Sequence, residues 1–327
     1  MAYVKQFEFR SMDEERRGRV WRIWCVAWFN FILQWRRSRI LKFVMVFIIF
    51  IILLSNLMLL NSINMLLETF TPNEVLVNHL WGTFRKFVRF QVLIASPSEL
   101  NPVFDTGYSI FMLIGFIIMG SGLISDDLQH QTLELYDTKI SRFDYLLGKY
   151  GALVLFGNVL FTIPCICEWF LIVIGVSGVG IIQAIPVLLG VIIFTEVLTL
   201  ILASIILTFS SFTHKRLFAG VFAFGFLLLN SKIISALVGL PETFSPIMYL
   251  DLFTVLSVFS YIITGETAVN YYDTTITGVD FSLLIDLSGL AGSLVVPFIL
   301  FFLFTSFLIC TYRLVWQHSH PLYLWKF

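Results

Sequence analysis

The chain has 327 residues and a mass of 37.6 kDa, with 58% hydrophobic residues, only 13% charged residues and 35 phenylalanines. Globular domains contain about 45–50% apolar and about 25% charged residues, so this composition excludes a water-soluble body of this size. The 21 basic and 21 acidic side chains give a formal net charge of zero. The sequence therefore predicts an all-α integral membrane protein that has the lipid bilayer as its main surroundings and binds no nucleic acid.

Six segments are long and apolar enough to cross a membrane as helices, which requires about 20 mostly apolar residues. Apolar runs of this length exclude the shorter strands of a membrane barrel. We predict one transmembrane domain over residues 1–327, with spans at 41–61, 108–125, 151–175, 181–209, 217–239 and 290–313.

The charged residues predict the orientation of these spans. Nine arginines and lysines lie in residues 1–40, which the positive-inside rule places in the cytoplasm. Six spans then return the C-terminus to the cytoplasm, and the outer segment 240–289 contains no lysine or arginine. The outer segment 62–107 carries three basic residues against the rule, which longer loops obey less well. We expect a multi-pass protein of the cell membrane with both termini cytoplasmic.

Two segments differ from simple spans. Residues 20–40 contain several tryptophans between flanking arginines, which favours an amphipathic (elbow) helix at the membrane interface over the alternative of an extra span. Residues 246–265 contain Asp251 and several hydroxyls, which favours a re-entrant or surface helix on the outer side, before the last span. If this second segment crosses the membrane, the orientation of everything after it inverts.

The cytoplasmic segment 126–150 is much longer than a turn between two spans needs. Asp126 and Asp127 open it and would suit a helix N-terminus, while Ser141 can cap a second helix with Asp144 three residues later. The segment predicts two short helices that present apolar and charged side chains to a soluble partner.

This segment resembles the coupling loop of ABC-2 type permeases, the membrane subunits of ABC exporters. In that family an acidic residue precedes Thr-Leu-x-Leu, a Pro-Ile-Ser-Arg-like turn and Leu-x-Gly-Lys, and Lys139 stands here in place of the proline. The six spans and the interfacial helix extend the resemblance, which is strongest to prokaryotic and especially archaeal transporters, over most of the chain. The matching residues are Asp127, Thr132-Leu133-Glu134-Leu135, Ile140-Ser141-Arg142, Leu146-Leu147-Gly148-Lys149 and Phe244-Ser245-Pro246.

The resemblance implies that the loop forms a coupling helix that docks on a cytoplasmic ABC ATPase subunit. Two such subunits bind ATP and Mg²⁺, and their closure moves a dimer made with a second permease copy or a paralogue. The docking face that the resemblance implies consists of Asp127, Thr132, Glu134, Arg142 and Lys149. The plain alternative is a solvated charged loop.

The chain itself lacks the motif that would bind ATP. A P-loop needs Gly-x-x-x-x-Gly-Lys-Ser/Thr, but Tyr150 follows Gly148-Lys149 and Phe143 occupies the position of the first glycine. The sequence also contains no metal-ligand cluster and no nucleophile motif. We therefore expect no catalytic residue, cofactor or metal in this chain.

Three ionisable residues and one asparagine stand out within the predicted spans, where ionisable groups are costly and are often functional. Glu196 lies 14 residues before Ser210, and Lys232 lies 15 residues after Leu217. Both therefore lie roughly 21–23 Å from the cytoplasmic end, and we expect them to approach each other as a structural ion pair or as part of a substrate path. Glu168 and Asn158 are further candidates.

Two other functions are compatible with these residues. A secondary transporter would use the intramembrane glutamates for ion coupling, and a membrane scaffold would recruit a soluble partner without transport. The sequence identifies no substrate, and the direction of transport follows from the resemblance alone.

Overall fold

The computed structural model describes residues 18–39, 42–43, 45–47, 50, 107–130, 141–175, 178, 180–238, 252, 256, 259 and 299–312. All regular secondary structure in these ranges is helical. A π-helical turn at Asn158–Thr162 joins the third helix to the fourth. The helices are α1 (Arg19–Arg37), α2 (Gly107–Gln129), α3 (Arg142–Gly157), α4 (Ile163–Gly175), α5 (Ile181–Phe212), α6 (Arg216–Val238) and α7 (Ile299–Tyr312).

Three helical stretches among the described residues are long and apolar enough to cross a membrane. They are Met112–Gln129, Arg142–Gly175 and Ala184–Phe212. The described residues confirm the predicted all-helical fold, and these stretches overlap three of the six predicted spans. The predicted span 41–61 lies mostly outside the described residues, and α6 and α7 contain shorter apolar stretches, Arg216–Leu227 and Ile299–Tyr312.

Helix α5 is the centre of the described bundle, because it packs against α2, α3, α4, α6 and the π turn. Most of its residues are apolar on every face, as expected of a helix surrounded by other helices and lipid. Gly178, in the turn that leads to α5, has a φ of 98°, which glycine adopts without steric cost. The buried core residues of α5 include Phe194, Leu198, Ile201, Leu202, Ala203, Ile205 and Ile206.

Close helix contacts are made at glycines, as is usual in membrane bundles. A Cβ added at Gly120 of α2 would lie 2.5 Å from Cγ2 of Ile206, and one added at Gly157 of α3 would meet Thr199. Helix α2 is also joined to the end of α5 by Ser210, whose hydroxyl donates to the carbonyl of Ser121 at 2.8 Å. These contacts fix α2 and α3 against the central helix.

The segment between α2 and α3 is shorter than the predicted loop 126–150. Helix α2 continues to Gln129, and α3 begins at Arg142. The predicted cap is confirmed, because the Ser141 hydroxyl accepts a hydrogen bond from the Asp144 amide at 3.1 Å. The capped helix is not a separate short helix, however, because it has no internal breaker and continues through the π turn to Gly175.

The prediction that Asp126 and Asp127 open a helix is wrong. Both lie in the last turn of α2, where the helix dipole disfavours negative charge. Basic side chains from other helices offset the negative charges of these two residues. Lys149 pairs with Asp127, and Arg216 lies beside Asp126, since both border the space next to Gly122.

Candidate functional site where helices α1, α2 and α3 meet

A buried lysine joins three helices at the end of the bundle that carries the loop. Nζ of Lys149, on α3, lies 2.6 Å from Oδ2 of Asp127 on α2. It also donates a hydrogen bond of 2.7 Å to Oδ1 of Asn30 on α1. The side chain of Lys149 is only 3% exposed and that of Asp127 17%, so both charges are largely removed from water. A buried charge requires such partners, because an unpaired one would be very costly.

The other polar groups around this lysine also have hydrogen-bond partners. The Tyr145 hydroxyl donates to the same Oδ2 of Asp127 at 2.6 Å, and the Lys149 ammonium lies 5.2 Å from the centre of the Tyr145 ring. The Asn30 amide donates to the carbonyl of Val26 at 2.7 Å, one turn earlier on α1. We call Asn30, Asp127, Tyr145 and Lys149 the polar junction.

A second ion pair lies one to two turns nearer the start of α3. Nε of Arg19, at the beginning of α1, lies 2.6 Å from Oδ1 of Asp144. Arg22 approaches the other carboxylate oxygen at 4.0 Å, and the Arg19 guanidinium lies 5.1 Å from the centre of the Phe143 ring. The side chain of Asp144 is 3% exposed and that of Arg19 is 58% exposed. A buried carboxylate is therefore paired with an arginine that remains largely in contact with solvent.

Helix α1 lies directly against the backbone of α3. A Cβ added at Gly148 would be 2.5 Å from Cγ1 and 2.7 Å from Cβ of Val26, and one added at Gly151 would be 3.1 Å from Cβ of Ala27. Any larger residue at Gly148 would push the two helices apart. The glycine of the Leu-Leu-Gly-Lys sequence therefore allows the contact that brings Asn30 to Lys149.

An aromatic stripe on α1 runs from exposed tryptophans to rings that are partly buried against the core. Successive rings of Trp24, Trp28, Phe31 and Trp35 have centroids 5.6–6.1 Å apart. Trp24 and Trp28 are nearly half exposed. Tryptophan is enriched at membrane–water interfaces, so this stripe agrees with the predicted interfacial position of α1, which is not among the three candidate spans.

The structure places only some of the predicted docking residues. Asp127 and Lys149 are brought together in the polar junction, and Arg142 is the first residue of α3 with a partly buried side chain. Thr132 and Glu134 lie outside the described residues. The contact between Asp127 and Lys149 gives both residues a role inside the protein, and their contact with a partner stays a prediction.

The polar residues at membrane depth are distributed over α3 to α6. The Asn158 amide, at the start of the π turn, donates to the carbonyl of Val154 at 3.1 Å. Glu196 is half-buried on α5, which packs against α6. The side chains of Glu168 and Lys232 lie outside the described part of the structure, so the predicted approach of Glu196 and Lys232 is not tested.

Three threonines near the π turn, two of which form a hydrogen-bonded pair, were not singled out from the sequence. The Thr162 hydroxyl donates to the Thr195 hydroxyl at 3.1 Å, and Thr195 donates to the Val191 carbonyl at 3.0 Å. Thr199, one turn further along α5, faces Gly157. Its hydroxyl is buried without a hydrogen-bond partner among the described residues. A π turn often marks a functional or strained site, and here it supplies Thr162 to a hydrogen bond with α5.

These features define an all-helical membrane protein in which an amphipathic helix is fixed to the base of a loop between two apolar helices. The arrangement has no described cluster of histidine, cysteine or carboxylate side chains that could hold a metal ion. The polar junction links α1, α2 and α3 at one point. No protein-family model, curated protein or solved structure matches the chain.

Proposed function

We propose that this chain is the permease subunit of an ABC exporter, in which separate nucleotide-binding subunits hydrolyse ATP. The proposal includes six spans, both termini in the cytoplasm, and a dimer with a second copy or a paralogue. It rests on the resemblance of residues 127–149 to the coupling loop of ABC-2 type permeases.

The observation that best supports this proposal is the pairing of the two ends of that motif. Asp127 and Lys149 lie far apart in sequence, yet their charged atoms are 2.6 Å apart. The helices on either side of residues 131–140 are therefore joined to each other by this ion pair. A loop fixed at its base can pass a displacement of its tip to the membrane helices instead of absorbing it.

The continuity of α3 with α4 supports the same function. The helical run Arg142–Gly175 has 34 residues, which corresponds to about 51 Å at 1.5 Å per residue. A bilayer core is about 30 Å thick, so one end of this run projects beyond the hydrocarbon even when the helix is tilted. The Arg142 end of this run, which follows the loop directly, is capped by Ser141 and carries the ion pair of Asp144.

Affinity purification of the tagged chain from its native cells tests the proposal. We expect a nucleotide-binding subunit to co-purify and the complex to hydrolyse ATP. Glu134→Lys, in the loop, should reduce recovery of that subunit severalfold by reversing a charge on the docking face. Glu266→Lys makes the same change in the predicted outer segment and serves as the matched control.

The outcomes distinguish the proposal from its rivals. Transport driven by an ion gradient, with no ATPase in the purified complex, would identify a secondary transporter. A stable soluble partner without ATPase activity, in cells that show no transport dependent on the chain, would identify a scaffold. Equal recovery of the ATPase subunit with both variants would contradict docking through the loop.

A further inference from the structure

A cleft between α2 and α6 has the features of a lipid site. Its volume is about 840 Å³, within the range of about 300–1,000 Å³ that small-molecule sites occupy. The residues that follow α1 also line it. Its lining is Ser38, Arg39, Ile114, Ile117, Ile118, Ser121, Arg216, Leu217, Gly220, Val221 and Phe224.

Polar and apolar residues are separated along this cleft. Arg39 and Arg216 lie at the helix ends, whereas Ile114 and Phe224 lie further along α2 and α6. From Arg216 to Phe224 the cleft follows α6 for about 12 Å. A ligand that fits must therefore have a charged end at the membrane surface and an apolar part that extends into the hydrocarbon.

The basic residues at the mouth of the cleft define the charge of this ligand. Nη2 of Arg216 donates to the Ile118 carbonyl at 2.6 Å, and its side chain also lies beside Asp126. Arg216 therefore lines the end of the cleft, and part of its positive charge is already offset by these contacts. Arg39 is exposed, and Lys42 and Lys215 are exposed residues close to it or to Arg216 in sequence. The net charge at the mouth is positive.

We propose that this cleft binds one anionic phospholipid from the leaflet that faces the basic ends of α1 and α6. One acyl chain lies against the isoleucines of α2 and the apolar face of α6, and the phosphate lies at Arg39. Basic pockets between membrane helices are known to bind anionic headgroups. This inference does not depend on the proposed transport function.

Native mass spectrometry of the purified full chain, titrated with phosphatidylglycerol and separately with phosphatidylcholine, tests the site. We expect the first bound lipid to show a clear preference for phosphatidylglycerol. Arg39→Gln should reduce that preference about fivefold, the change that corresponds to about 1 kcal/mol for one basic residue near an anionic lipid. Arg36→Gln removes an exposed arginine that does not line the cleft, and it should leave the preference unchanged.

A second pair of variants tests the apolar part of the cleft. Val221→Trp fills it from a position that is 58% exposed, so the core is not disturbed. It should reduce binding of the first lipid of either type at least severalfold. Leu229→Trp makes an equally large change at a residue that is 59% exposed on the same helix but outside the cleft. Its lipid binding should match that of the unchanged protein.

Three results would overturn the proposal. Equal loss of preference in Arg36→Gln and Arg39→Gln would show general surface attraction, and unchanged lipid binding in Val221→Trp would show that the cleft is not the site. A change from dimer to monomer in Val221→Trp, with lipid binding unchanged, would assign the cleft to a second copy of the chain. Circular dichroism and gel filtration of each variant show that a loss of binding is not a loss of folding.

Discussion

Lys149 on α3 and Asp127 on α2 form an ion pair of 2.6 Å at the base of the loop between these helices. Asn30 of α1 accepts a hydrogen bond from the same ammonium group. The Lys149 side chain therefore links α3 both to α2 and to α1, although α1 ends more than 100 residues before α3 begins. This contact gives α1 a defined position on the bundle instead of leaving it as an independent surface helix.

Removing the lysine should destabilise the protein strongly. Lys149→Met keeps the length of the side chain but removes the ammonium group that pairs with the largely buried Asp127 carboxylate. Breaking one side of a buried pair costs about 3–5 kcal/mol. We expect a large fall in the thermal unfolding temperature measured in detergent.

Two further variants define the origin of that effect. Lys215→Met removes an exposed lysine and should have little effect on unfolding. In the double variant Asp127→Asn, Lys149→Met, stability should recover in part, because neither buried charge remains. A melting temperature of Lys149→Met equal to that of Lys215→Met would contradict the role of the polar junction.

Enlarging Gly148 should separate α1 from α3. In Gly148→Ala the new Cβ would meet Val26 at 2.5–2.7 Å, and overpacking of this kind costs about 1–3 kcal/mol. Hydrogen exchange of the amides in Arg19–Arg37 should become faster, since the contact that protects them is weakened. Gly225→Ala is the control, because a Cβ at Gly225 has no neighbour within 4 Å. Unchanged exchange in Gly148→Ala would show that α1 is held by other contacts.

The two neighbouring threonines of α5 should respond differently to the same substitution. Thr195→Val removes the acceptor of the Thr162 hydroxyl, which should lower stability by about 0.5–1.5 kcal/mol. Thr199→Val removes a buried hydroxyl that has no described partner, so stability should stay equal or increase. Chemical denaturation of both variants measures the difference. The reverse order would mean that Thr199 makes the more important hydrogen bond.

Glu196 and Lys232 provide a test of the expected intramembrane pair. Helices α5 and α6 pack together, and both residues lie at similar heights along them. If the side chains meet, Glu196→Gln and Lys232→Met should each destabilise the protein, and the double variant should lose less than the sum. Additive losses would show that the two charges act independently. Unchanged transport and assembly in the double variant would exclude both the structural pair and a path function.

The sequence was sufficient to predict the class of the protein and several helix positions. The predicted span 108–125 lies within α2, 181–209 lies within α5, and the predicted interfacial helix is α1. Long apolar runs and flanking charges identify such helices because the lipid leaves the backbone no alternative to internal hydrogen bonds. The Ser141 cap was also predictable, because a cap depends on residues only three positions apart.

The polar junction could not be predicted from local patterns. Asn30 and Tyr145 are not part of any recognisable sequence motif. Their roles arise only because α1 packs on α3. Asp127 was expected at a helix start, since a local rule takes no account of a lysine supplied by another helix. The glycine of Leu-Leu-Gly-Lys was the available signal, because a glycine within a helix indicates a close approach of another backbone.

The π turn at Asn158–Thr162 has a consequence for the long helix that contains it. A π turn has a wider turn than the α-helix, so the faces of α3 and α4 are out of phase with each other. The face of α3 that packs against α1 therefore does not line up with the same face of α4. Rewinding this turn to an α-helix would rotate Arg142–Gly157 relative to Ile163–Gly175, so the π turn determines which faces of the two helices contact α5.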